Sequence, residues 1–253
     1  MRTKINKRLK TLTQEQTKWL RSLKQKKYRT AEKCYFIEGK KMLEEALENV
    51  SEDILMIVTT DDSILAETFQ NFEVYKCSAK QMQQFSELKT PSTYFTVIKK
   101  KPDGLPKMNQ KFIVLDGIQD PGNLGTIIRT CDWFGIEHIV CSNDTVEHHN
   151  PKVIQATMGS IFRVQVSYVD LQVFIKLSKA NIVGTEMAAP SLFDSMQILK
   201  EATGIVIGNE GKGISQEVRD LIPNHISIPK NGNSESLNAA VSAGIIMSHW
   251  TLK

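Results

Sequence analysis

Cysteine is scarce and scattered: Cys34, Cys77, Cys131 and Cys141 form no C-x-x-C pair and no zinc-module spacing. That excludes a disulfide framework and a structural zinc module, and leaves four reduced packing residues in a cytoplasm-like compartment. Long apolar runs are missing too, since nothing approaches the ~20 residues that span a bilayer. The opening MRTKINKRLK lacks the apolar segment of a secretory signal, so a cytoplasmic protein is expected. Neither G-x-G-x-x-G nor G-x-x-x-x-G-K-[ST] occurs, which argues against a dinucleotide-dependent oxidoreductase and against a Walker phosphate cradle. Internal repeats and low-complexity tracts are absent, and no residue set suggests a metal site.

Acid is almost missing from the first thirty residues, where Glu15 stands alone against eleven lysines and arginines. That segment carries +10 of a formal net charge of +4, so the remainder is −6. A basic arm on a mildly acidic body points to a polyanion, because Lys and Arg gain affinity by displacing phosphate counterions. Thr13-Gln14-Glu15-Gln16 has capping-box spacing, and Trp19, Leu20 and Leu23 follow at helical intervals.

With 253 residues and 41% apolar content, two domains are the working expectation. CYFIEG, Ile54 to Thr59 and TYFTVIKK read as strands, Lys40 to Asn49 and Ser63 to Gln70 as helices, a small α/β unit. KKKPDGLPKMNQ has two prolines, a glycine and no apolar period, and reads as a linker. Expected boundaries are a basic arm at 1–27, a small domain at 28–101, a linker at 102–110 and a larger domain at 111–253. In the last, apolar runs at Phe112–Leu115, His138–Cys141, Val164–Ser167, Ile182–Gly184, Gly204–Ile207 and His225–Ile228 alternate with helical segments. This is the βα pattern of a largely parallel sheet, whose ligands sit in loops at the carboxyl ends of strands.

Three of those loops look unlike ordinary turns. In FIVLDGIQDPGNLGTIIRTCDWFG, Pro121 fixes one torsion and Gly122 or Gly125 allows close backbone approach. The following helix carries Leu124, Ile127, Ile128, Cys131 and Phe134 as an apolar stripe, with Arg129 nearly opposite and Trp133 one turn on. A tryptophan opposite the core stripe suggests a second buried face, most simply against another protomer. In IVIGNEGKGIS, Glu210 between glycines could hold a ligand's hydroxyl or cap the next helix. In ISIPKNGNSESLNAAVSAGIIMSHW, Ser234 or Ser236 is expected to open a helix, with Ser236 and Asn238 in its first turn. Ala239, Ala240, Ala243 and Gly244 would let another backbone pack closely.

Taken in order, LDGIQDPGNLGTIIRT, IVIGNEGKGIS and ISIPKNGNSESLNAAVSAG resemble the three signature motifs of the SpoU, or TrmH-like, RNA ribose 2′-O-methyltransferases. NPKVIQATMGSIFRVQV is similar to the segment between the first two, and residues 28–101, with FIEGKKMLEEAL, resemble the L30e-like substrate-binding domain many members carry. The resemblance implies a C-terminal α/β domain with a trefoil-knotted, largely parallel sheet, a smaller N-terminal α/β domain, and a homodimer through the knotted domain. It implies S-adenosylmethionine as cofactor and no metal. Asn123 and Arg129 become the catalytic pair, with Glu210, Ser236 and Asn238 beside acceptor and cofactor. Gly184, Thr185, Ile207, Gly208 and Asn209 are implied to line the cofactor pocket, with Gly213, Ile228 and Leu237 and again Ser236 and Asn238. Gln155 and Lys230 depart from residues frequent in the family at those places. The N-terminal domain favours ribosomal RNA of the large subunit as substrate; a tRNA methyltransferase and a non-catalytic RNA-binding protein of this fold remain the alternatives.

Overall fold

The computed structural model describes residues 9–61, 69, 71–102, 104–107 and 109–251. It divides into two compact units, one reaching Lys101 and including His149–Pro151, the other formed by Pro102–His148 and Lys152 onward. The stretch read as a linker thus clusters with the second unit from Pro102.

The first unit runs β1 (Lys10–Thr11), α1 (Gln14–Ser22), α2 (Lys26–Ala31), β2 (Cys34–Glu38), α3 (Lys40–Asn49), β3 (Ile54–Thr59), β4 (Val74–Lys76), α4 (Ala79–Phe85) and β5 (Tyr94–Lys99). Its sheet is mixed, in the order β1-β4-β3-β5-β2, with β4 parallel to β1 and β3, and β5 antiparallel to β2 and β3. The expected helix at Ser63 to Gln70 lies outside the described residues apart from Phe69.

The basic segment is not a free arm over its described part. Thr13 caps α1 with both arms of the capping box in place, and Leu12, Leu20 and Leu23 are buried with Phe36, Phe85 and Phe95. Arg29, 2% exposed, donates from one guanidinium nitrogen to the carbonyls of Leu23 and Lys24 at 2.9 and 2.8 Å. It therefore fixes the α1–α2 turn and is not an outward phosphate contact.

The second unit runs β6 (Phe112–Asp116), α5 (Pro121–Trp133), β7 (His138–Ser142), α6 (Pro151–Thr157), β8 (Gln165–Val169), α7 (Leu171–Ser178), β9 (Ile182–Thr185), α8 (Met196–Glu201), β10 (Gly204–Gly208), α9 (Gln216–Arg219), β11 (Asn224–Ile226) and α10 (Ala239–Thr251). All its strand pairs are parallel, in the order β11-β9-β10-β6-β7-β8. The central strands read as unbroken apolar runs because both faces are covered; Phe112, Ile113, Val114 and Leu115 are all 0% exposed.

Helix α5 buries its stripe as read, with Leu124, Ile127, Ile128 and Cys131 at 0% exposure and Phe134 half-buried. The small residues of α10 find their neighbour within the chain. Ala239, Ala240 and Ala243 are buried, α10 packs on α5, and Met247 Sδ lies 3.7 Å from Cys131 Sγ. The four cysteines form no disulfide and are buried, and burial pushes the thiols of Cys34 and Cys77 up to about 11, which leaves them protonated and inert. Among the described residues no helix is long and apolar enough to cross a membrane.

Candidate active site

Because β6, β10, β9 and β11 are parallel neighbours, their carboxyl ends share one edge of the sheet, with Asp116 paired to Gly208 and Thr185 to Ile226. Three loops leave this edge, and a set of side-chain bonds ties them together.

The first loop follows β6. Gly117 takes φ +71°, a region costly for other residues, and its N–H donates to Ser142 Oγ at 2.9 Å. Asp120 caps α5 by accepting the Asn123 N–H at 2.8 Å, and Pro121 stands where a helix needs no donor. This cap fixes the backbone of Asn123 at the mouth of the helix.

The second loop folds back on its own strand. Asn209 and Gly213 exchange backbone bonds of 2.9 Å each. A Cβ on Gly208 would lie 2.2 Å from the Gly213 carbonyl carbon, so this glycine is required by the fold-back itself. Asn209 Oδ1 accepts the N–H groups of Gly211 and Lys212, while its Nδ2 donates to Gly117 O at 2.7 Å, clamping the second loop to the first. Asp116, 8% exposed, adds a second clamp by accepting both the N–H and the hydroxyl of Ser215 at 2.7 Å.

The third loop departs from the sequence expectation. The helix opens at Ala239, and Asn238 is its cap, accepting the N–H groups of Ala240 and Val241. Ser236 lies before the helix in an exposed stretch, where its carbonyl accepts the Ser234 hydroxyl at 3.0 Å. Among the described residues, no backbone N–H from Lys230 to Leu237 bonds to the chain.

One hydrogen-bonded chain crosses all three loops. Asn238 Nδ2 donates to Asn123 Oδ1 at 2.8 Å, and Asn123 Nδ2 donates to Glu210 Oε1 at 2.7 Å. Charge-assisted pairing with a carboxylate makes the second bond the stronger. The structure thus brings together Asn123, Glu210 and Asn238.

Arg129 lies outside that network. Six residues beyond Asn123 on α5, it stands about 9 Å further along the axis and about 120° around it. It is exposed, and no described residue pairs with its guanidinium. Trp133, on the same face one turn later, is 84% exposed.

The expected cofactor-lining residues fall into two groups. Gly184, Ile207 and Gly208 are strand positions whose side-chain space the chain itself fills, so that they could meet a ligand through backbone alone: a Cβ on Gly184 would meet the His225 ring at 2.4 Å, and Ile207 is 3% exposed. Thr185 donates its hydroxyl to Val206 O at 2.9 Å. Gly213 takes φ +71° in the second loop, with nothing near its missing Cβ. Ile228 is half-buried and Leu237 is 46% exposed, which leaves these two and the unbonded backbone between them open to a ligand. Asp116, Asp120 and Ser215 were missed as supports of the site; a carboxylate closing the apolar run FIVLD was the available signal.

The family model described as the SpoU rRNA Methylase family matches residues 110–248, and that described as an MRM3-like substrate binding domain matches residues 14–96. The chain is 28% identical over 249 residues, 96% of its length and 98% of the relative's, to the 23S rRNA (guanosine(2553)-2′-O)-methyltransferase RlmP of Bacillus subtilis. A TrmH-family protein of Porphyromonas gingivalis, solved as a proposed RNA methyltransferase, superposes with TM-score 0.82 at 31% identity, over 95% of this chain and 98% of that one. The AdoMet-bound rRNA methyltransferase of Sinorhizobium meliloti superposes with TM-score 0.82 at 26% identity, over 96% of both chains. With a family model spanning more than half its length and both units matched end to end, the chain belongs to the SpoU rRNA methylase family.

Proposed function

We propose that the protein methylates a ribose 2′-hydroxyl of 23S ribosomal RNA in the cytoplasm, using S-adenosylmethionine and working as a homodimer. The observation that carries this reading is the Asn238–Asn123–Glu210 chain, which joins the three signature loops at one sheet edge. The match along nearly the full length of RlmP supports the large-subunit substrate.

The residues present fit the cofactor. Ile228 and Leu237 offer apolar surface for an adenine, and the unbonded N–H groups between them offer donors for its polar edges. Bound there, S-adenosylmethionine supplies an electrophilic methyl on a sulfonium. The chain's own task is to present a poor nucleophile in line and to stabilise the oxygen as its proton leaves. Glu210, held by Asn123, is a fixed acceptor for a sugar hydroxyl; Asn123 is held in turn by Asn238 and by the Asp120 cap.

Arg129 supplies the positive charge. It acts by gripping the adjacent phosphate with its planar fork and stabilising the developing alkoxide. Because Arg129 and Trp133 share an exposed face away from Asn123, the dimer brings this arginine to the other protomer's loops. The threading of the C-terminal segment as a trefoil knot belongs to the same reading, supported by the jump from β8 at one edge to β9 near the other.

The test is transfer of labelled methyl to unmodified RNA, followed by alkaline hydrolysis. Label in alkali-resistant dinucleotides from the large-subunit size class is the expected result, and label in transfer RNA or on bases would refute the substrate assignment. Mixing Arg129→Ala with Asn123→Ala subunits should restore part of the activity that each lacks alone. No restoration in verified heterodimers would place Arg129 in its own protomer's site.

A further inference from the structure

The first unit carries a shallow, open cleft of about 560 Å³ between α1, α2 and α4. Lys18 and Arg21 come from α1, Lys24 and Gln25 from the turn, Tyr28 from α2 and Gln84 from α4. We infer that this cleft is a nucleotide subsite for single-stranded RNA, with a base stacked on Tyr28 and its flanking phosphates on Lys18 and Arg21; the inference rests on the proposal that RNA is the substrate.

The chemistry of the lining selects that ligand. Among the described residues no acid lines the cleft. Among the described residues Lys18 and Arg21 are exposed and unpaired, so their charge is available. Lys24 is committed, donating to Ser86 O at 2.8 Å and pairing with Glu87 at 3.3 Å, and so forms a wall. Tyr28 is 38% exposed, which leaves part of its ring available to a stacked base. Lys27 Nζ lies 4.7 Å from the ring centroid, occupying one face and enriching the positive field around the other. Gln25 and Gln84 are exposed amides that donate and accept, as the edge of an unpaired base requires.

The backbone that carries the ring is also held in place. Buried Arg29, the next residue, locks the turn that precedes α2, so the backbone of Tyr28 is fixed beside the cleft. Cations that track a backbone beside an aromatic platform are the general solution for unpaired strands, whereas duplex RNA buries its base faces and offers nothing to stack.

The full chain is tested with a short oligouridylate, a matched RNA duplex and an acidic peptide of equal charge. The wild type should prefer the oligouridylate. Tyr28→Ala should weaken oligouridylate binding, and raise KM for the methylated RNA, by roughly 5- to 100-fold, and Tyr28→Phe should restore both. The double variant Lys18→Gln, Arg21→Gln should lower the salt slope for the oligouridylate by about 1.4, the value for two single-strand phosphates. An unchanged dissociation constant in Tyr28→Ala, or equal binding of duplex or peptide, would overturn the inference while leaving methyl transfer intact. A wild type that transfers no methyl yet binds oligouridylate through Tyr28 would sink the enzymatic reading instead.

Discussion

The six-stranded sheet of the second unit runs all its strands one way, while the five-stranded sheet of the first mixes directions, and the polar residues of each are deployed accordingly. Parallel strands deliver their following loops to one edge, so the second unit builds a site from three loops and fixes it with amide and carboxylate bonds. Antiparallel pairing divides the loops of the first unit between opposite edges, and its uncommitted cations sit on helix surfaces instead. One arrangement positions atoms and the other gathers charge. Reaction needs the former, because misplacement by an ångström costs rate, whereas phosphate affinity tolerates mobile cations.

Breaking the positioning side should give the largest effect. Arg129→Ala should lower kcat for methyl transfer by about 10²–10³-fold, as expected for loss of one charge-stabilising donor, with cofactor affinity by calorimetry unchanged. A kcat near wild type would mean that the loops alone carry the chemistry.

In the first unit the corresponding experiment is structural. Arg29→Met removes at least two charge-assisted bonds to backbone carbonyls and should cost about 2–4 kcal/mol in urea unfolding of that unit, each such bond being worth about 1.5–3 kcal/mol less the apolar contact regained. No loss would show that the α1–α2 turn is held by Leu20 and Leu23 alone.

Asp116→Ala sharpens the contrast from the other side. It orphans the Ser215 N–H and hydroxyl, so a cost of about 1–3 kcal/mol is expected, together with faster amide exchange in the second loop. Unchanged exchange would assign the clamp to Asn209.

The smallest effect is pH-dependent. Burial alone would raise the Asp132 carboxyl, but hydrogen bonds from Arg163 and Ser160 outweigh it and hold the group below the usual carboxylate range. A depressed native pKa stabilises fully at neutral pH and loses that contribution as the pH falls through it. Asp132→Asn should therefore cost up to about 1 kcal/mol at neutral pH and converge with wild type in acid, measured by thermal unfolding across pH. A constant deficit would show that geometry, not charge, joins α5 to the segment after α6.

The sequence was most legible where one element repeats a local pattern. The runs at Phe112 and Gly204 became central strands, and the α5 stripe was buried at Leu124, Ile127, Ile128 and Cys131, because periodicity alone decides which face meets the core. Short elements escaped: β1 and β4 have two and three residues, too few for any period. The start of α10 was misjudged because Ser234, Ser236 and Asn238 are all good caps, and only the bond to Asn123 selects the last.

By itself, the chain determined its longer strands, its buried helix faces, the three motifs and hence the family, since these are properties of contiguous residues. Tertiary structure decided the rest. Asn123 meets Glu210 across 87 positions and Asn238 across 115, and Asp116 reaches Ser215 across 99. It also turned Arg29 inward while leaving Lys18 and Arg21 outside, and it absorbed the alanines of α10 while leaving Trp133 uncovered. The physical reason is common to all of these: a side chain's partner is set by what the sheet order brings beside it, and no local pattern encodes that order.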